Sequence, residues 1–145
     1  MAIIAGEQKY TNIPVSILAI YAIPHDRGPT VNKDTAARAA LEAFQKRHLY
    51  GVTDHILAEF SCGSHIMGDA FTSSAAPSFR VKLTGTAPFA KVHVIKDNQY
   101  VYSTSPGKAA VNFTWRDSSP AAGKTSYYYV RGEQQDGEIV WVSPM

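Results

Sequence analysis

The sequence is poor in cysteine and lacks long apolar runs. Cys62 is the single cysteine among 145 residues, which excludes an intrachain disulfide and a zinc site made of this chain's thiolates alone. No apolar run approaches the ~20 residues of a membrane-spanning helix. The first residues have no basic stretch before a short apolar one and therefore do not match a signal peptide. We expect no membrane partner, and the localisation stays unknown.

The sequence also lacks a marked excess of either charge. It has 14 basic and 12 acidic residues, a formal net charge of +2 at pH 7. Proteins that are held to nucleic acid by neutralising phosphates need a stronger basic excess, so nucleic acid is not an expected partner. The hydrophobic content of 45% is typical of a globular protein with an ordinary core.

The first half of the chain predicts a strand, a helix and further strands. Residues 13–23 are almost continuously apolar, which is typical of a strand buried on both faces of a parallel sheet. A helix follows near Asn32 or Asp34, either of which suits its N-cap, and apolar runs follow at 49–53 and 56–60. One apolar stripe of the helix is expected to be buried: Ala37, Leu41, Phe44 and His48. The exposed sheet of such a unit would need cover and favours a homo-oligomer or another partner.

The second half predicts an antiparallel β-sandwich. Apolar and polar residues alternate from Phe79 to Leu83, which indicates a strand with one buried and one solvent-exposed face. Asp97-Asn98 predicts a tight hairpin, and Asp136-Gly137 predicts another turn. Turn signals roughly every ten residues are typical of an immunoglobulin- or fibronectin-like sandwich. The predicted fold class is therefore α+β and mostly β, with a strand-helix-strand unit in residues 1–77 and a sandwich domain in 78–145.

The aromatic residues of the sandwich permit two interpretations. One places an aromatic platform for sugars or a peptide on a strand face, formed by alternating tyrosines: Tyr100 and Tyr102, and Tyr127 and Tyr129. The other uses these rings to fill the space between the sheets, and we favour it because a sandwich of this size needs large core side chains. Trp115 and Trp141 are expected to join that core.

The sequence predicts neither a metal site nor a catalytic nucleophile. Its five histidines form no His-x-His pair and no His-Glu-x-x-His motif, so metal-ligand spacing is lacking. No Gly-x-Ser-x-Gly motif occurs, and no base is predicted beside Cys62, which we interpret as a small hydrophobic residue. No residue is therefore assigned a catalytic role, and His65 is expected to bond to the backbone in a loop.

Three residues are candidates for lining a substrate. Asp54 and His55 follow a predicted strand end, and His25 lies in the loop after the first apolar run. Loops at the carboxyl ends of parallel strands are where α/β proteins bind ligands. Alternatively, Asp54 caps a turn, His55 is half exposed and the loop of His25 is simply solvated.

Several segments resemble the C-terminal region of a bacterial family of unknown function. That family is related to the PHP (polymerase and histidinol phosphatase) metallohydrolases. The resemblance covers about residues 15–145 and is carried by these segments: Tyr50 to Phe60, Gly63 to Phe71, Gly85 to Pro88, Val94 to Asn98, Tyr127 to Arg131, Asp136-Gly137 and Trp141 to Pro144. His55 departs from the pattern, because the family has an asparagine there.

The resemblance implies a distorted (β/α) barrel with divalent metal ligands, followed by a small β-sandwich, and metal-dependent hydrolysis of phosphate esters. The family's His-x-His and Asp-x-His ligand motifs are missing here, where residues 6–10 read Gly-Glu-Gln-Lys-Tyr. The chain is therefore expected to be a non-catalytic C-terminal portion without a cofactor of its own, in which a βαβ remnant precedes a sandwich that buttresses the barrel.

The partner implied by the resemblance is the missing barrel portion or a second protomer. In that setting Asp54, His55 and His25 would lie at the mouth of the barrel. A stand-alone sandwich that binds carbohydrate or a protein partner is the alternative function. A site assembled with a second polypeptide is a third possibility.

Overall fold

The computed structural model describes residues 2–4, 17–21 and 33–145. Within these residues the chain forms one helix and eleven strands. The elements are β1 (Ala2–Ile4), β2 (Ile17–Tyr21), α1 (Lys33–Gln45), β3 (Leu49–Val52), β4 (Leu57–Cys62), β5 (His65–Ile66), β6 (Ser78–Thr84), β7 (Phe89–Lys96), β8 (Gln99–Thr104), β9 (Ala110–Arg116), β10 (Tyr128–Gln134) and β11 (Ile139–Val142). The described part contains no helix that is long and apolar enough to cross a membrane.

The strands form two antiparallel sheets. Sheet A has seven strands in the order β1-β2-β3-β11-β10-β7-β8, and sheet B has four in the order β5-β4-β6-β9. Alternating burial along β6 and β10 shows that each sheet has one covered face, as expected when two sheets share a core. The prediction of a mostly β chain with an antiparallel sandwich is confirmed at this level.

The prediction of a βαβ remnant of a barrel is wrong for β2 and β3, the two strands that flank the helix. β2 and β3 pair antiparallel, from Ile17 opposite Val52 to Ile20 opposite Leu49, whereas a βαβ crossover joins parallel strands. Ile17–Tyr21, the described part of the apolar run that suggested a parallel strand, forms β2 inside the seven-stranded sheet, between β1 and β3. An interior strand is apolar in either direction of pairing, which explains the error.

The boundary predicted after residue 77 does not separate the two sheets. β3 pairs with β11 through Val52 opposite Val140, and β4 pairs with β6 from Leu57 to Ser61. Each sheet therefore contains strands from both sides of residue 77. Side chains from both sides also enter one core cluster.

The helix does not bury the apolar stripe that its sequence predicts. Leu41 is 59% exposed and Phe44 is 44% exposed, whereas Ala43 is buried. The helix thus packs through the side that contains Ala43. Leu41 and Phe44 lie three residues apart and share a helix face, which remains exposed.

The core lies between the inner faces of the two sheets, with Phe79 of β6 near its centre. The Phe79 ring stacks on Phe60 with centroids 5.2 Å apart and lies 4.5 Å from the ring of Tyr128. Trp115 stacks on Phe79 at 6.1 Å and packs against the core cluster, as predicted. Tyr128 lies in this core and Tyr129 packs against it partly buried, whereas Tyr127 is 39% exposed.

Candidate functional site

Asp54 and His55 lie in the turn between β3 and β4. Asp54 accepts a hydrogen bond from the Thr86 hydroxyl, and its Oδ1 lies 3.3 Å from Nδ1 of His55. The bond from Thr86, followed by the backbone N–H of His55, holds the pKa of Asp54 below its ordinary value. The structure therefore brings this predicted pair together and joins it to a neighbouring loop. Their role in lining a substrate stays a prediction, and His25 lies outside the described residues.

A second cluster, which the sequence did not suggest, is centred on Asp69. Its Oδ1 lies 2.7 Å from Nε2 of His48, and its Oδ2 accepts the backbone N–H of Ile66 at 2.8 Å. Burial would raise the pKa of Asp69, but the bonds from Ile66 and His48 keep it below the ordinary value. This carboxylate thus joins the connection between α1 and β3 to strand β5.

His65 belongs to the edge of the same cluster. Its Nδ1 lies 3.8 Å from Oδ2 of Asp69, and its ring stacks on Phe71 at 4.3 Å. The strand register also places it opposite Cys62, a neighbour that the sequence did not reveal. Across residues 33–145 and the two short N-terminal strands, no group of three or more His, Cys, Asp or Glu side chains is arranged to hold a metal ion.

A buried ionic group closes one end of the core. Asp117 accepts hydrogen bonds from Lys96 Nζ and from the Tyr128 hydroxyl, both at 2.6 Å, and from the Ser119 backbone N–H at 2.9 Å. Burial would raise the pKa of Asp117, but these donors, with Lys96 first, lower it. Burial and the adjacent carboxylate raise the pKa of Tyr128 to about 12. The group joins β7 and β10 to the end of β9.

The outer face of sheet A carries the aromatic and cationic side chains that sequence reasoning misplaced or missed. Trp141, Arg131 and His93 are direct register partners across β11, β10 and β7. Tyr100 of β8 lies opposite Ile95, two residues along β7 from His93. We call these four residues the outer row: Trp141, Arg131, His93 and Tyr100.

The outer row is accessible to a ligand. Tyr100 is 59% exposed and Trp141 is 40% exposed, so the prediction that Trp141 joins the core is wrong. The strand alternation explains this result, because Val140 and Val142 on either side of Trp141 are buried. Tyr100 and Tyr102 are two residues apart on β8, but a register shift between Val94 and Ile95 of the paired strand gives them different surroundings. The Tyr102 ring packs on Phe113, with ring centroids 5.2 Å apart.

Arg131 connects the outer row. Its Cζ lies 6.0 Å from the centroid of the Trp141 ring, within the range of a cation–π contact. Its Nη1 donates to the Tyr100 hydroxyl at 3.4 Å, and its Nη2 lies 3.6 Å from Oε2 of Glu133. The buried Nε has no hydrogen-bond partner in the described part of the chain. The contacts of the guanidinium with the described residues are therefore long ones.

His93 positions the other end of the row. Its Nδ1 lies 2.7 Å from the Ser103 hydroxyl, and its ring meets Tyr100 edge-on at 4.7 Å. Burial, followed by the positive charges of Arg131 and Lys91, lowers the pKa of His93. The imidazole is consequently neutral at pH 7, and the row owes its charge to Arg131.

Comparisons with known proteins give relatives without a described activity. A protein of Chlamydia trachomatis serovar D is 25% identical over 122 residues, a match that covers 72% of this chain and 20% of the relative. Proteins of Chlamydia muridarum and Chlamydia pneumoniae are 24% and 25% identical, with the same coverage. All three are named as uncharacterized proteins. The chain spans about a fifth of the length of these curated relatives; no family model matches it, and no solved structure matches it significantly.

Proposed function

We propose that this chain is a non-catalytic accessory β-sandwich of a larger protein, the C-terminal portion of a PHP-like metal-dependent hydrolase of phosphate esters. The hydrolase part of the proposal rests on the sequence resemblance alone. The accessory part is supported by the exposed apolar face of α1. The greater length of the Chlamydia relatives, of which the match covers 20%, is compatible with a module that works beside other domains.

The exposed face of α1 is the observation that carries the accessory role. Leu41 and Phe44 are both more than two-fifths exposed, although large apolar side chains on one helix face are normally buried. Contiguous exposed apolar side chains mark interaction surfaces. We propose that the barrel portion of the larger protein covers this face, so that the sandwich buttresses the barrel.

The polar groups that could serve in acid–base chemistry have structural partners instead. Asp54 is bonded to Thr86, Asp69 to His48 and to the Ile66 N–H, and Asp117 to Lys96 and Tyr128. A catalytic acid or base must reach a proton of the substrate. These carboxylates instead join segments of the fold, which supports an accessory role.

The catalytic part of this proposal is tested by metal content and hydrolysis. The purified, chelator-treated chain should contain far less than one zinc, manganese or iron ion per molecule by elemental analysis. It should not hydrolyse p-nitrophenyl phosphate after addition of Mn²⁺ or Zn²⁺. One tightly bound ion per chain together with turnover would contradict the proposal.

The docking surface is tested by self-association, because an uncovered apolar face promotes contact between copies. Sedimentation velocity of the isolated chain should show concentration-dependent association that is abolished by Leu41→Lys together with Phe44→Lys. Leu57→Lys is the matched control, since Leu57 is similarly exposed but belongs to β4. Association that is absent, or that is lost equally in the control, would argue against docking through α1.

A second candidate function is favoured by the outer row. Exposed aromatic rings beside an incompletely bonded guanidinium are a common composition of binding surfaces. We therefore propose, as the alternative to docking on a barrel, that the sandwich is a binding module for carbohydrate or a protein partner. The outer face of sheet A would be its binding surface.

A further inference from the structure

We propose that the outer row binds an acidic polysaccharide, that is, a chain of sugar rings bearing carboxylate groups. This inference rests on the second proposed function, a binding role for the outer face of sheet A. Trp141 and Tyr100 stack against sugar rings, and Arg131 between them binds a carboxylate. Each part of the assignment follows from the geometry of the row.

The spacing of the two rings selects an extended ligand. Trp141 is on β11 and Tyr100 is on β8, and β10 and β7 lie between these strands. Three steps between neighbouring strands correspond to about 14 Å. The Arg131 guanidinium reaches both rings, with Cζ 6.0 Å from the Trp141 centroid and Nη1 3.4 Å from the Tyr100 hydroxyl, so the rings lie closer together than their strands. A ligand that covers both rings and the guanidinium between them is therefore larger than a single sugar unit.

The charge of the row selects an anion. The two Nη atoms of Arg131 have long contacts, of 3.4 Å to the Tyr100 hydroxyl and 3.6 Å to Glu133. Guanidinium groups bind carboxylates through two parallel hydrogen bonds, which are stronger than bonds between neutral groups. Lys91, opposite Glu133 on the neighbouring strand, offsets the charge of the Glu133 carboxylate beside Arg131.

The polar residues between the rings favour a saccharide over a protein surface. Arg131 and His93 lie between Trp141 and Tyr100 along the row, and Ser103 lies beside His93. The centres of protein–protein interfaces are rich in arginine but depleted in glutamate and serine, whereas Glu133 contacts Arg131 and Ser103 contacts His93 in this row. Sugars instead present apolar C–H faces to aromatic rings and hydroxyl groups to donors and acceptors at the ring edge, which matches this alternation.

Single-stranded nucleic acid is the other extended anion to consider, and the row suits it less well. Such ligands require successive stacking platforms and a basic groove that follows the phosphates. The row has one arginine between its two rings, and the whole chain has a net charge of only +2. The structure therefore favours the saccharide.

The test compares tetragalacturonate with its methyl ester, which has the same rings but no charge, by isothermal titration calorimetry. The unmodified chain should bind the acid about tenfold more tightly than the ester, as expected for a charge-assisted hydrogen-bonded pair. Arg131→Gln should remove this preference. Arg80→Gln is the matched control, because it removes the same charge from an exposed position on β6 of sheet B, and it should leave the affinity within about twofold.

A second variant keeps the test valid if Arg131→Gln does not fold. Tyr100→Ala changes an exposed side chain and should weaken binding of both ligands without altering the circular dichroism spectrum. Unchanged affinity of a folded Tyr100→Ala chain would overturn the proposal.

The remaining outcomes separate this inference from the binding function on which it rests. Equal affinity for the acid and the ester would overturn the acidic class but leave a saccharide-binding face. Absence of binding to both would overturn the acidic polysaccharide and leave a protein partner as the form of the binding function to test. Tighter binding of oligothymidylate than of tetragalacturonate would overturn the saccharide in favour of single-stranded nucleic acid.

Discussion

The two faces of sheet A contain similar residue types and have different surroundings. The inner face has Tyr128, Val130 and Val140, which are buried. The outer face has Arg131 and the exposed Trp141 from the same two strands. Both faces include aromatic rings, so aromatic content does not identify the core. The polar neighbours on the outer face, including Arg131, distinguish it.

Because the two faces differ in burial, we expect inner side chains to determine stability and outer side chains to determine binding. Inner side chains are packed between two sheets, so that truncation leaves a cavity. Outer side chains are in contact with water, and their truncation costs little stability. We therefore expect inner substitutions to act on the free energy of unfolding and outer substitutions to act on ligand affinity.

The largest effect is expected for Phe79→Ala. This ring is fully buried and packs on Tyr128 of the inner face, so the substitution should lower the free energy of unfolding by about 3–5 kcal/mol. Tyr100→Ala on the outer face should change it by about 0.5 kcal/mol or less. Urea unfolding followed by circular dichroism measures both. Losses of similar size would remove the distinction between the faces.

A smaller effect is expected for Asp117→Asn, at the polar edge of the inner face. The substitution leaves the mostly buried Lys96 without its carboxylate and should cost about 3 kcal/mol at pH 7. The pKa of Asp117 is lowered by folding. Its carboxylate therefore stabilises the fold above the ordinary value of 3.8, and this contribution is lost as the pH falls through the lower folded value.

The pH dependence provides the check on Asp117. The difference in unfolding free energy between the unmodified chain and Asp117→Asn should shrink progressively below about pH 4. Urea unfolding at pH 7, 4 and 3 measures this difference. A gap that stays constant over this range would show that folding does not lower the pKa of Asp117.

The smallest effect is expected for His93 on the outer face. Because folding lowers its pKa below the ordinary 6.5, the unfolded chain takes up the proton first when the pH falls. Stability should therefore decrease below about pH 6.5 until the folded value is reached. The fall in melting temperature between pH 7.5 and 5.5 should be smaller in His93→Gln than in the unmodified chain. An equal fall would exclude His93 as a contributor.

Local signals in the sequence correctly predicted much of the sandwich. Asp97 and Asn98 have φ angles of 49° and 64° in the two-residue turn between β7 and β8, as the hairpin prediction requires. The alternation from Phe79 to Leu83 agrees with the burial of β6. These features depend on neighbours in the sequence, which is why local patterns reveal them.

The errors concern relationships between distant segments. Alternation around Trp141 shows that successive side chains face opposite ways, but it does not tell which side meets the other sheet. The apolar run before the helix likewise does not give the direction of strand pairing. Arg131 and His93 were missed as site residues because the register of β7 and β10 brings them together.

The most direct test of a binding outer face is acrylamide quenching of Trp141 in a Trp115→Phe chain, in which Trp141 is the only tryptophan. Without ligand, its emission should be red-shifted and readily quenched, because Trp141 is 40% exposed. Saturating tetragalacturonate should reduce the quenching constant and shift the emission to shorter wavelength. Quenching that is unchanged by the ligand would contradict the assignment of the outer row as the binding surface.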